Sequence, residues 1–94
     1  MAGHVFHPGH QALHGVTVVL ETVGDKTYVG RFDSQDDRGV HMHDVGVHDA
    51  ATATVSKEAF LQRCDRFGIP TQHRDLLVPV TDVARIQKLV DAVR

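Results

Sequence analysis

Ninety-four residues, 41% of them hydrophobic, bound the chain to one small domain with one modest core. Ten Lys and Arg against twelve Asp and Glu leave a formal charge of −2, which argues against the broad basic face of a general nucleic-acid binder. The single cysteine, Cys64, cannot form an intrachain disulfide, so reinforcement by self-association or metal is expected, in a reducing compartment.

The opening stretch "MAGHVFHPGHQALHG" lacks the basic start and apolar run of a secretion signal. No segment approaches the ~20 apolar residues of a membrane span. A cytoplasmic protein with no membrane partner is therefore expected. Within the opening stretch His7, His10 and His14 fall at i, i+3 and i+7. They read either as one face of a short N-terminal helix, "PGHQALHG", packed on the domain, or as a metal-binding face.

Residues 16–22, "VTVVLET", alternate in the manner of a half-buried strand, with Val16, Val18 and Leu20 on one face and Thr17, Val19 and Glu21 on the other. "VGDK" supplies a tight turn and "TYVGRF" a second β-branched and aromatic run, so the second strand folds back on the first. "DSQDDRG" is the next turn and "VHMHDVGV" the third strand, with Val40 and Met42 on one face and His41 and His43 on the other. Gly30 and Gly46 inside these strands predict bulges or sharp bends, the device that curls a small sheet.

The period then changes. Phe60, Cys64 and Phe67, with Leu61 beside them, form a helical stripe. Ser56 is placed as N-cap with Glu58 in the first turn, Val55 can staple to Phe60, and Gly68 and Pro70 end the helix. "DLLVPV", Asp75 to Val80, reads as a fourth strand whose Pro79 demands an edge or a bulge. In the last stretch Val83, Ile86, Val90 and Val93 permit a helix capped by Thr81 or Asp82, while a short turn followed by a strand "RIQKLV" is the alternative.

The meander "LHGVTVVLETVGDKTYVGRFDSQDDRGVHMHDV" resembles the first motif of the Sm-like (LSm) family, of bacterial or phage type. Gly15, Val16, Val18, Leu20, Gly24, Gly30, Phe32 and Asp36 carry the likeness over about residues 13–45. "LLVPVTDVARIQKL" is similar to the closing strands of such SH3-like barrels. The resemblance implies a mainly β fold: a strongly bent five-stranded barrel spanning 1–94, with a short N-terminal helix and a helical insertion at about 49–74 between strands three and four. It also implies a noncatalytic homo-oligomeric ring, in which strand four of one copy pairs with strand five of the next. Single-stranded RNA would then be bound at the pore by Asp36, Arg38 and Gly39. Arg38 takes the family's stacking position, Gly39 replaces its Asn, and Thr81-Asp82 replaces its Arg-Gly pair.

Eight histidines are several times ordinary usage. His41 and His43, on one strand face, could share Zn²⁺, Ni²⁺ or Cu²⁺ with His48 or Asp44; the alternative is exposed strand histidines. Asp33, Asp36 and Asp37 could do acid–base work or hold Mg²⁺, although Asp in turns usually serves backbone hydrogen bonding. Lys57, Arg63, Arg66 and Arg74 form either an anion-facing ridge or a solvated helix face. Cys64, on the apolar stripe, reads as an inert core thiol. With no phosphate loop or nucleophile elbow, no cofactor and no enzymatic activity are expected, which leaves a structural or protein-interaction oligomer, or a His-based metal-binding protein, as the alternatives to RNA binding.

Overall fold

The computed structural model describes residues 13–94. His7, His10 and most of the expected N-terminal helix lie outside the described residues. Five strands follow in a single antiparallel sheet: β1 (Thr17–Thr22), β2 (Lys26–Gln35), β3 (Gly39–Asp49), β4 (His73–Pro79) and β5 (Val83–Lys88). Their spatial order is β4-β3-β2-β1-β5. Helix α1 (Lys57–Phe67) lies in the chain between β3 and β4, and a four-residue helix α2 (Leu89–Ala92) follows β5.

A three-residue 3-10 turn, Val80–Asp82, joins β4 to β5, the two outermost strands. In a flat sheet these edges would stand about 19 Å apart, four inter-strand spacings of ~4.8 Å. Four Cα–Cα steps from Pro79 to Val83 cover at most about 15 Å even when fully extended. The sheet must therefore curl. Bulges supply the bend: the β2–β3 register shifts between Val29 and Arg31 and again between Phe32 and Ser34, and β1–β5 shifts at Glu21/Thr22.

The curl does not close into the expected barrel, because β4 and β5 pair only with β3 and β1 and not with each other. Pro79 ends β4 without a donor. The next amide, that of Val80, donates to the Arg38 carbonyl at 2.8 Å, and the Asp82 carbonyl accepts from Val23 N–H at 2.9 Å. The crossing is thus tied to the ends of the β2–β3 and β1–β2 hairpins. The ambiguous last stretch resolves as turn plus strand.

Curling gives the sheet two apolar faces. The concave core holds Val18, Leu20, Phe32, Val40, Met42, Val45 and Val78. Val19 and Val29 on the convex face are equally buried, beneath Leu61 and Cys64 of α1 and Leu89 of α2. β1 is consequently a two-sided core strand and not half-buried as its alternation suggests. Each such buried side chain contributes about 1.5–3 kcal/mol.

Helix α1 begins as its sequence dictates. The Ser56 side chain accepts from Ala59 N–H at 3.0 Å, and Gly68 at φ 96° ends the helix, its N–H donating to the Cys64 carbonyl. Its buried face differs from the expected stripe: Leu61 and Cys64 point inward, whereas Phe67 is 80% exposed.

Gly30 packs against β3 at the bend, where an added Cβ would lie 2.9 Å from the His43 carbonyl oxygen and from Val45 Cγ2. Gly30→Ala should therefore cost about 1–3 kcal/mol, since backbone as well as side chain must shift. Gly24, whose Cβ would meet nothing closer than Thr22 Oγ1 at 4.0 Å, should tolerate Ala within about 0.5 kcal/mol. Urea unfolding of the two variants checks the contrast.

Candidate functional site

Asp36, Arg38 and Gly39 come together in the tight hairpin between β2 and β3. Asp36 and Gly39 exchange backbone hydrogen bonds, at 3.0 and 3.2 Å. One carboxylate oxygen of Asp36 accepts the Arg38 amide at 2.9 Å and the Gly39 amide at 3.3 Å; the other faces the Arg38 guanidinium at 3.5 Å and His41 Nε2 at 3.2 Å. These donors, the Arg38 amide foremost, then His41, the Gly39 amide and the Arg38 charge, outweigh the opposing desolvation and hold the carboxyl down at about 2. Asp36 is thus the turn's own fastener.

Arg38 leaves 72% of its side chain exposed, its carbonyl bonded to Val80. That bond sets the Val80–Asp82 turn beside the hairpin. The turn adds half-exposed Val80. The hairpin therefore carries one arginine, one histidine and the carboxylates of Asp36 and Asp37, while Asp82 at the far end of the turn stands beside Val23, Gly24 and Asp25. The hairpin can stack on a planar group through Arg38 and accept hydrogen bonds, but it draws phosphate only weakly.

The three histidines expected as metal ligands do not converge. His41 turns to Asp36, His43 to Asp75 and Asp33. His48 is 5% exposed; its Nε2–H donates to the Val55 carbonyl at 2.8 Å and its ring lies 5.5 Å from that of Phe60. His48 lies five residues further along β3 than His43 and is buried beside Phe60 of α1, whereas His41 and His43 stand on the part of the sheet that the helix leaves uncovered. Among the described residues no group of three or more His, Cys, Asp or Glu is placed to hold a metal ion.

The other candidates are engaged in structure. Asp33 faces His14 and His43, and Lys57 pairs with Glu21 at 3.1 Å, which removes one cation from the expected ridge. Burial pushes the Cys64 thiol above its ordinary range, away from nucleophilic thiolate. Among the described residues no helix is long and apolar enough to cross a membrane.

Sequence reasoning missed His41 as a member of the hairpin patch, although its position two residues past Gly39 on the outer face of β3 carries that signal. It also missed a polar cleft of about 490 Å³ between the start of β2, the end of β3 and the loop before α1, lined by Tyr28, His48, Asp49, Thr52, Phe60 and His73 among others. No protein-family model matches the chain, and no curated protein matches it.

Because Asp36 titrates below its ordinary 3.8 when folded, its contribution to stability is complete above that value and disappears as pH falls through about 2. Asp36→Asn keeps an acceptor for the Arg38 amide but lacks the charge. The variant should be less stable than wild type at pH 5, with the gap narrowing steadily from about pH 4 to pH 2. Denaturant unfolding followed by circular dichroism at several pH values checks this.

Proposed function

We propose that the chain is a noncatalytic Sm-like protein of the cytoplasm that assembles edge to edge into a homo-oligomeric ring and binds single-stranded RNA weakly at the Asp36–Gly39 hairpin. The strand order β4-β3-β2-β1-β5 in a curled sheet carries the reading. Among the described residues it leaves β4 and β5 as edges of the same sheet, each without a ladder partner on its outer side. Short exposed edges on a small domain are removed when copies close on one another. Pro79 limits pairing along β4 to the residues before it.

The hairpin supports the RNA half of the proposal. Its adjacency to the Val80–Asp82 turn joins the two segments from which the resemblance builds a base pocket, and the exposed Arg38 guanidinium offers a face for stacking. The carboxylates of Asp36 and Asp37 oppose phosphate, so stacking must provide most of the affinity. A second reading, a ring that orients subunits without binding RNA, is favoured by the contact of Arg38 with Asp36 at 3.5 Å.

Native mass spectrometry should give one closed oligomer; a monodisperse monomer would remove the ring. Fluorescence anisotropy with oligouridine and mixed-sequence RNA should give a dissociation constant on the order of micromolar at low salt, weakening as salt rises. Arg38→Ala should lose most of that binding with assembly intact. Equal binding by the variant, or none by wild type, would leave the purely structural ring.

A further inference from the structure

The convex face of the sheet is divided. Helices α1 and α2 cover it over Val19 and Val29; beyond Gly30 it carries Arg31 and Asp33 from β2, His41, His43 and Asp44 from β3, and Asp75 from β4. At the centre of this uncovered part both nitrogens of His43 face carboxylates on the flanking strands. Nδ1 lies 2.7 Å from Asp75 Oδ1, and Nε2 lies 3.5 Å from Asp33 Oδ1. A neutral imidazole has one N–H and one lone pair, so it satisfies one carboxylate and turns its lone pair on the other. Only the imidazolium donates to both.

We propose that His43 is a proton-operated clasp: its imidazolium bridges Asp33 on β2 and Asp75 on β4, fastening the edge strand β4 to the sheet, and loss of the proton loosens that strand.

The surrounding charges decide the balance. On β2, Arg31 is the register partner of His43 and opposes its charge, but the guanidinium is drawn to Asp44 Oδ2 at 3.0 Å, and Asp33 favours protonation. On β3, His41 sits two residues away, turned to Asp36, and Asp44 is adjacent but paired. On β4, Asp75 is the direct register partner, and His73 stands opposite Val45. Ahead of β1, His14 shares Asp33, with Nδ1 at 2.7 Å from its carbonyl oxygen and 3.8 Å from Oδ1. The Asp75 hydrogen bond, aided by Asp33, raises the His43 pKa above its ordinary 6.5 against desolvation. The sign follows: a raised folded value means the clasp is fully closed below 6.5 and opens as pH rises through the folded value.

Asp75 is 73% exposed, so salt weakens the clasp. Its consequence for assembly rests on the edge-pairing reading above: a better-ordered β4 is a better template for a neighbouring strand, so association should strengthen on acidification.

The test uses the whole chain at low ionic strength. An NMR titration of the His43 imidazole should give a midpoint above 6.5; Asp75→Asn should remove most of the elevation and Asp33→Asn a smaller part. Hydrogen exchange of the β4 amides bonded to β3, compared with Asp75→Asn at each pH to cancel intrinsic rates, should be slower in wild type by on the order of threefold on the acid side and converge on the alkaline side. A midpoint at or below 6.5, or β4 exchange that ignores His43 protonation, overturns the clasp. Should Asp75→Asn not fold, the wild-type titration and Asp33→Asn decide alone. Sedimentation across the same pH range separates the two readings: clasp behaviour with unchanged association upholds the clasp and removes edge pairing.

Discussion

Everything in this domain follows from a short crossing. Three residues, Val80–Asp82, connect the two outermost strands of a five-stranded sheet, and a chain that short cannot span a flat one. Curvature is therefore imposed by connectivity, and the bulges and Gly30 are the means by which β2 and β3 comply. The crossing is tied at both ends, through Val80 to Arg38 and through Asp82 to Val23. The same bonds that set the curl thus set the hairpin patch. A residue at Asp36–Gly39 cannot move far without disturbing the join between β4 and β5.

Curvature also explains why a 94-residue chain has two apolar clusters. A concave face alone would bury one side of each strand. The helix between β3 and β4 covers the convex side of β1 and β2, so Val18, Val19 and Leu20 are consecutive and all fully buried. The cover stops short of the outer part of β2, β3 and β4, and there the sequence supplies Asp, His and Arg instead of valine. Charged groups that would be costly beneath α1 are tolerable on this solvent-facing area.

Features governed by local chemistry were legible in the sequence. Ser56 as N-cap, Gly68 as helix stop, Pro79 at an edge and the bend at Gly30 depend on near neighbours and backbone freedom. Features governed by long-range packing were not. Phe67 fits the helical stripe but lies at the helix terminus, where Gly68 turns the chain away before the core is reached. Val19 looked exposed because alternation reports a strand's two faces and not whether a distant segment returns to cover one. The metal reading of His41, His43 and His48 rested on closeness in sequence, whereas His48 is buried beside Phe60 of α1 and the other two face separate carboxylates. For the hairpin patch, Asp36, Arg38 and Gly39 were found together because they share one turn, whereas the adjacency of Val80 needed the crossing.

The arrangement of charge on β3 suggests a division of labour along one strand. His41 and His43 alternate onto the same face, yet each meets a different carboxylate: Asp36 is local, five residues away, and Asp75 is remote, 32 residues away. The first contact is internal to a hairpin and reports only on that turn. The second spans a strand–strand boundary, so it responds to whether β4 is in place. Two histidines that look equivalent in the sequence therefore differ in kind. Among the described histidines, His43 alone faces groups carried by two strands other than its own, which is the geometry that a link between proton binding and edge order requires.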